Sequence, residues 1–328
     1  MRPIETPFTK MLGCPYPLIA GPMFLVSDEE LVSAVSEAGG IGATPSLNWR
    51  TTEEFRKAVQ KIKSMTKKPF GVNLIVNQAN TRQDADLAVC VEEKVPFIVT
   101  SLGSPKETIR RMHEVGGKVF CDITTLKYGK KCEDMGADGV IAVSAGAGGH
   151  AGPISPLVLI PYLRKHLKIP IVAAGGIATG EQMAAALLLG ASAVQIGTRF
   201  IASTEAKVDE AYKKAILDSE PEDIVLTNRI SGTPAAVINT PYIQKMGLNL
   251  GPVEQYLFKN PKTKKYMKMV RAYLGAKVLE KAASGPTWKT VWSAGQGVGL
   301  IEDILPAGEI VELMVEQYYE AFERTHHE

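Results

Sequence analysis

The chain lacks long hydrophobic runs and any excess of one charge. No apolar stretch approaches the roughly 20 residues that a membrane-spanning helix needs, and the first residues show no basic-then-apolar signal pattern. The 37 lysines and arginines balance 35 aspartates and glutamates, so the basic footprint of a nucleic-acid-binding protein is missing. We therefore predict a cytoplasmic protein that binds neither membranes nor nucleic acid.

Cysteine is also scarce, with four residues in 328. Cys14, Cys90, Cys121 and Cys132 form no CxxC pair and no disulfide framework. We interpret them as buried apolar side chains of a protein in a reducing compartment. No group of His, Cys, Asp and Glu has metal-ligand spacing, so we predict no metal.

Short apolar runs alternate with helical patterns over the first 200 residues. The clearest helix, Thr51–Met65, begins with the capping-box pattern Thr51-x-x-Glu54. Eight β-branched runs separated by helices favour an α/β fold of the (β/α)8 TIM-barrel type. A doubly wound sheet would place a GxGxxG after its first strand, and Ile19–Met23 is not one. The eight runs are Pro17–Met23, Gly40–Pro45, Pro69–Val76, Pro96–Leu102, Lys118–Ile123, Gly139–Ala145, Pro170–Gly175 and Ala193–Phe200.

The pattern changes after the eighth run. We predict a barrel domain over 1–220, a small helical lid subdomain over 221–285, and a return segment with a C-terminal helix over 286–328. The lid segment shows no strand periodicity. Its lysine-rich stretch, Lys259–Lys268, is either a solvated face or an edge that attracts anions. The helix pattern of the last part covers Ala307–Phe322.

Glycines end the seventh and eighth runs. Gly175-Gly176 allows close approach of a ligand to the backbone, and Gly197-Thr198 adds an N–H group and a hydroxyl. Phosphate held by the last two strands recurs among TIM barrels. The alternative is that these glycines only form tight turns. We favour a phosphate-bearing ligand.

His150 follows the sixth run within Gly146–Gly152. A lone histidine is often satisfied by backbone carbonyls, but flanking glycines leave this imidazole accessible to a ligand. With an ordinary pKa near 6.5, an imidazole can accept a proton at neutral pH. His150 is therefore our candidate catalytic residue, and the chain is predicted to be an enzyme.

Several motifs form a recognisable set. They are Ala20-Gly21-Pro22-Met23, Gly71-Val72-Asn73-Leu74, Gly148-Gly149-His150-Ala151-Gly152, Ala174-Gly175-Gly176-Ile177, Ile196-Gly197-Thr198-Arg199-Phe200 and Trp292-Ser293-Ala294-Gly295-Gln296. From about Thr6 to Ala321 the chain resembles the nitronate monooxygenase family, formerly 2-nitropropane dioxygenase. That family also contains flavin-dependent enoyl-ACP reductases and an NADH:quinone reductase branch.

The resemblance implies FMN, with its ring over the barrel mouth and its phosphate at strands seven and eight. It places Gly21 and Met23 near the ring, has Asn73 hydrogen-bond the ring, and matches His150 to the family's active-site histidine. The expected cofactor-binding residues are Ala20, Gly21, Pro22, Met23, Asn73, Asp122, Gly149, Ala174, Gly175, Gly176, Gln195, Gly197, Thr198, Ser293 and Gly295.

Two positions depart from the family pattern. Relatives commonly carry a glutamate four residues before the histidine, where this chain has Gly146. The quinone-reductase branch has a lysine at the end of strand five, where this chain has Asp122. Loss of that lysine would change the redox tuning of a flavin. Asp122 is either a partner of a ribityl hydroxyl or a strand-end cap.

The activity that the resemblance implies is oxidation of alkyl nitronates by O2 to a carbonyl compound and nitrite. His150 would hydrogen-bond the nitronate oxygens or deprotonate a neutral nitroalkane. The alternative is an NAD(P)H-dependent flavin reductase of quinones or enoyl thioesters. A barrel isomerase or aldolase without flavin is a third class, disfavoured by the motif set. The sequence leaves the physiological substrate, the use of NAD(P)H and the oligomeric state open, a homodimer included.

Overall fold

Eight parallel strands close into a barrel. The computed structural model describes residues 1–77, 79–229, 234–249, 251 and 291–324. Within these residues the barrel order is β1-β2-β3-β4-β5-β6-β8-β9, and β9 pairs with β1 to close the ring. The barrel strands are β1 (Leu18–Ala20), β2 (Ile41–Pro45), β3 (Gly71–Ile75), β4 (Phe97–Ser101), β5 (Lys118–Ile123), β6 (Gly139–Val143), β8 (Ile171–Ala174) and β9 (Ala193–Ile196).

Helices follow the barrel strands along the chain. Several start at side-chain caps that the sequence encodes: Thr51 and Thr179 each form a complete capping box. The helices are α1 (Pro7–Leu12), α2 (Glu29–Glu37), α3 (Thr52–Met65), α4 (Gln83–Glu92), α5 (Lys106–His113), α6 (Leu126–Asp134), α7 (Pro156–His166), α8 (Gly180–Leu188), α9 (Thr198–Ile201), α10 (Glu210–Leu217), α11 (Pro241–Met246) and α12 (Ala307–Arg324).

The barrel interior is filled by apolar side chains, so it is a packed core. Phe8 on α1 meets Phe97 and Phe120 edge-on, with ring centroids 6.0 and 5.8 Å away. All three phenylalanines are fully buried. Edge-to-face contacts of this kind suit the aromatic quadrupole. Phe97 and Phe120 therefore identify which face of β4 and of β5 points into the barrel.

A second, smaller sheet lies outside the barrel. Strand β10 (Ile224–Thr227) pairs antiparallel with β11 (Ala235–Ile238), and β11 pairs with β7 (Gly149–His150). The prediction of no strands after residue 221 is therefore wrong for this part. The four-residue strands are too short to show a period, and β11 also pairs with a strand about 85 residues earlier in the sequence. The lysine stretch Lys259–Lys268 lies outside the described residues, and the domain boundaries stay a prediction.

The return segment fastens to the barrel near β9. The buried guanidinium of Arg199 forms an ion pair with Asp303. Glu205 accepts from the N–H of Ala307 at 2.8 Å, at the start of α12. Helix α12 then packs against α8 and α2. The helix pattern predicted over Ala307–Phe322 corresponds to α12 (Ala307–Arg324).

The eight predicted strands are confirmed in place and order. The eighth predicted run was too long, because Gly197 ends β9 and the next residues form the short helix α9. Among the described residues, none of the helices combines the length and hydrophobicity that crossing a bilayer requires.

The contact between α8 and α12 allows no side chain at Gly180. A Cβ there would lie 1.9 Å from the Met314 carbonyl oxygen, which belongs to backbone. We expect Gly180→Ala to lower the free energy of unfolding by about 1–3 kcal/mol, since one helix must shift. Denaturant unfolding measures this.

Gly308→Ala, on α12 itself, is the matched control. Its Cβ would meet only Ala38 at an ordinary 3.9 Å. Alanine favours a helix over glycine by up to about 1 kcal/mol, so Gly308→Ala should be neutral or stabilising. Equal stability changes in both variants would contradict the packing argument.

Candidate active site

A layer of polar side chains lies directly on the apolar barrel core. Side chains alternate along a strand, so residues two positions after an inward-facing residue also face inward. Phe97, Val99, Phe120 and Ala193 belong to the interior cluster. The same faces of the strands then carry Ser101, Asp122 and Gln195 at the carboxyl end of the barrel, with Asn73 on β3 beside Val99. We call Asn73, Ser101, Asp122 and Gln195 the polar layer.

Three members of the polar layer form a hydrogen-bond chain. The Asn73 Nδ2 group donates to Ser101 Oγ at 2.7 Å and to the Val99 carbonyl at 3.2 Å. Ser101 Oγ donates in turn to Asp122 Oδ2 at 2.5 Å. The chain joins the ends of β3, β4 and β5 across the mouth.

Two oxygens of the polar layer are left without partners. Asp122 Oδ1 and Gln195 Oε1 are buried and have no hydrogen-bond partner among the described residues. Burial raises the pKa of the Asp122 carboxyl to about 6, against the opposing effect of the Ser101 hydrogen bond. Buried polar atoms are nearly always paired in folded proteins. Such orphaned atoms at a barrel mouth fit a polar ligand that covers them.

Three loops meet backbone-to-backbone beside the polar layer. The Gly146 carbonyl accepts from the N–H groups of Gly176 at 3.1 Å and Gln296 at 2.9 Å. A Cβ on Gly148 would lie 2.9 Å from Gly295 N, and one on Gly295 would lie 2.5 Å from Gly146 O. We call this set of contacts the three-loop junction. Only glycine allows loops to approach so closely.

The three-loop junction explains why this chain has Gly146 where relatives commonly carry a glutamate. Its φ of +86° is in the left-handed region, and a Cβ there would lie 3.3 Å from Gly176 Cα. A glutamate at this position would therefore strain the backbone and crowd the next loop. The Gln296 side chain occupies this space instead, with Oε1 3.4 Å from the same Cβ position.

The predicted phosphate residues lie next to the junction. Thr198 Oγ1 accepts from Gly295 N at 3.0 Å, which joins the β9 tip to the return segment. Gly175 has a φ of +117° and Gly176 a φ of +71°, and a Cβ on Gly176 would point into open space. The N–H of Gly176 is already bonded to Gly146, so that group is unavailable to a phosphate. Gly197 precedes α9, and no side chain caps the start of that helix. Gly197 therefore remains a candidate phosphate-binding residue.

His150 lies on a strand and not in a free turn. Its backbone pairs with Ala235 of β11, while its side chain stays exposed to solvent. Protein atoms around the ring nevertheless desolvate the imidazolium, and this lowers the pKa of His150. A neutral imidazole at pH 7 can accept a proton or donate one N–H group.

The remaining predicted residues fall in the same region. The Gly21 N–H donates to the Ile196 carbonyl at 2.8 Å, and the Met23 sulfur would lie 3.6 Å from a Cβ on Gly197. Ala174 is paired in register with Gln195. Ala20 ends β1, Pro22 follows Gly21, and Gly149 precedes His150 on β7. The exposed Ser293 accepts through its carbonyl from the buried Tyr212 hydroxyl.

Sequence reasoning missed Ser101 and Gln296. Ser101 links Asn73 to Asp122, and its position two residues after the buried Val99 was the available signal. Gln296 contacts Gly146 across 150 residues of sequence. Its signal was only its place as the last residue of the Trp292–Gln296 motif.

Comparison with known proteins decides the family. The nitronate monooxygenase family model matches residues 5–89 and 80–317. The chain belongs to the nitronate monooxygenase family. It is thereby an oxidoreductase, in a family of flavoproteins.

Individual relatives of this family member carry different names. A Rhodococcus jostii protein, (3aS,4S,5R,7aS)-5-hydroxy-7a-methyl-1-oxo-octahydro-1H-indene-4-carboxyl-CoA dehydrogenase, is 30% identical over 96% of this chain and 96% of its own. Nitronate monooxygenase of Pseudomonas aeruginosa is 29% identical, covering 94% and 98%. The structure of FabK from Thermotoga maritima superposes with a TM-score of 0.85 and 34% identity, covering 98% and 99%.

The buried Asp122 carboxyl makes stability depend on pH. Its pKa rises on folding from 3.8 to about 6, so the folded state disfavours the carboxylate. This cost to the stability of the folded state is absent at a pH below the pKa of Asp122 in the unfolded chain, and it is complete at a pH above the pKa in the folded protein. At about 1.4 kcal/mol per pKa unit, Asp122→Asn should raise the free energy of unfolding by about 3 kcal/mol near pH 8.

The gain should fade as the pH falls from about 6 to about 4. Urea unfolding of both proteins across this range measures it. Asp134→Asn, at the exposed end of α6, is the control and should not reproduce the pH-dependent gain. A gain in Asp122→Asn that is independent of pH would contradict the argument.

Proposed function

We propose that this family member binds FMN at the barrel mouth and oxidises alkyl nitronates with O2 to a carbonyl compound and nitrite. The observation that carries the proposal is the juxtaposition at one mouth of orphaned polar atoms, a glycine-rich tip and His150. The family model supports the reaction class.

The residues present fit FMN. Asp122 Oδ1 and Gln195 Oε1 offer unpaired groups to a polar ring system. The open space in front of Gly176, beside Gly197 and Thr198, would accommodate the phosphate. The phosphate would accept hydrogen bonds from the first N–H groups of α9 and from the Thr198 hydroxyl. The oxygen of that hydroxyl already accepts from Gly295 N.

The protein's own part in the reaction is positioning and proton handling. FMN supplies the electron transfer when bound. His150, held by β11 and neutral at pH 7, donates its N–H to a nitronate oxygen or accepts the α-proton of a nitroalkane. The three-loop junction keeps the loop before His150 at a fixed distance from the phosphate residues.

The second candidate function is the reduction of an acyl thioester, with NAD(P)H as the electron donor. It is favoured by the R. jostii relative, whose name specifies a carboxyl-CoA substrate. In that reaction His150 would polarise the thioester carbonyl or donate a proton to the product. The same residues serve both candidates, so the substrate decides between them.

Anaerobic rapid mixing of the FMN-loaded protein separates the two functions. We expect propyl-2-nitronate alone to diminish the visible flavin absorbance, and NADH and NADPH to leave it unchanged. With air admitted, nitrite should form in proportion to the oxygen consumed. Rapid bleaching by NADH or NADPH, with the nitronate inert, would instead assign the protein to the reductase class.

Replacement of His150 tests its role as a base. We expect His150→Gln to reduce kcat/KM for a neutral nitroalkane by about 10²–10⁴-fold, with a smaller effect on the preformed nitronate. Burial lowers the pKa of His150 below the ordinary histidine value. The wild-type rate with nitroalkane should therefore fall only when the pH drops through this lowered pKa.

His166→Gln, at the end of α7, is the matched control for this measurement. It should leave both substrates unaffected. Equal losses with nitroalkane and nitronate in His150→Gln would show that the imidazole binds substrate without acting as a base.

A further inference from the structure

The hydrogen-bond chain of the polar layer has a fixed direction. Asn73 Nδ2 has two hydrogens, and its two acceptors are the Val99 carbonyl and Ser101 Oγ. Ser101 Oγ, which accepts from Asn73, directs its own hydroxyl proton to Asp122 Oδ2. Oδ2 is therefore an acceptor. With this arrangement retained, a proton on Asp122 has to be on Oδ1.

Oδ1 is the oxygen of Asp122 that the chain of hydrogen bonds leaves unpaired. It is buried and has no partner among the described residues. An unpaired carboxylate oxygen in such a place is unfavourable, whereas a protonated Oδ1 can donate to a ligand. A ligand that covers the mouth would remove the remaining solvent and favour the protonated form further.

No ionisable side chain of the flanking barrel strands β4 and β6 is available to offset the charge of Asp122. Helices α5 and α6 pack on the outer side of β5, where the Cys121 and Cys132 thiols interact with each other. Among the predicted site residues, the other ionisable side chain besides Asp122 is that of His150. The ionisable groups of the two helices are Lys106, Glu107, Arg110, Arg111, His113, Lys127, Tyr128, Lys130, Lys131, Cys132, Glu133 and Asp134.

We propose that Asp122 takes up a proton from solvent when the flavin binds, and donates a hydrogen bond from Oδ1 to the flavin. This inference rests on the proposed FMN site. Asp122 then binds the flavin as a neutral carboxylic acid that donates a hydrogen bond, and not as a negatively charged carboxylate.

Proton uptake by Asp122 makes the affinity for FMN depend on pH. A proton taken up on binding makes the affinity greatest at low pH and weaker as the pH rises through the pKa of free Asp122, about 6. Binding should thus weaken by up to about tenfold per pH unit until the pKa of the bound state is reached. The FMN phosphate also titrates near pH 6, so wild-type protein alone cannot isolate this effect.

The test compares wild type with Asp122→Asn, which keeps a donor group but cannot titrate. The Kd for FMN is measured by fluorescence quenching from about pH 5.5 to about pH 8.5, with calorimetry in buffers of different ionisation heat to count protons. We expect the ratio of wild-type to Asp122→Asn Kd to rise on the order of tenfold or more between about pH 6 and about pH 8. Wild type should take up close to one more proton than the variant.

Ser101→Ala is a second, independent variant. It removes the donor that stabilises the Asp122 carboxylate, so the pH at which affinity begins to fall should shift upward. Asp134→Asn should follow the wild-type curve. Circular dichroism checks that each variant folds, and Ser101→Ala carries the test if Asp122→Asn does not.

The outcomes separate the two proposals. Parallel pH profiles for wild type, Asp122→Asn and Ser101→Ala, with FMN bound in all three, would overturn the role of Asp122 and leave the FMN site standing. Failure of wild type to bind FMN at any pH would overturn the cofactor, and this inference with it.

Discussion

The carbonyl oxygen of Gly146 accepts two hydrogen bonds, and the geometry of the mouth depends on them. One donor belongs to the loop after β8 and the other to the return segment. Three pieces of chain, separated by up to 150 residues, therefore converge on a single atom. The glycines at the junction are required because any side chain would hold these backbones apart. The positions of the predicted phosphate-binding residues and of the loop before His150 follow from the same contact.

Much of the barrel could be read from local sequence. Parallel strands are buried on both faces, so they appear as continuous β-branched runs, and capping residues such as Thr51 and Thr179 mark helix starts. The glycines that end β8 and β9 were also recognisable, because a strand tip that needs positive φ or close backbone approach favours glycine. His150 could be selected as a candidate from its neighbours alone.

What the sequence did not reveal depends on pairing between distant residues. The link from Ser101 to Asp122 exists because β4 and β5 are neighbours in a particular register. The pairing of β7 with β11 likewise joins a two-residue strand to a segment about 85 residues later. Neither strand is long enough to carry a periodic signal, and the availability of the Gly176 N–H could only be judged once its acceptor was known.

The pairing of His150 with Ala235 has an evolutionary implication. Barrel enzymes usually carry reactive groups on the barrel itself, and vary specificity through separate loops. In this chain the proposed catalytic residue, His150, is paired through its backbone with Ala235, in a segment that follows the barrel strands. A lineage that lengthened or shortened that segment would displace His150, the proposed proton-transferring residue, as well. Divergence of substrate range in this architecture is thus tied to divergence of chemistry, which suits a family whose members carry names from different reactions.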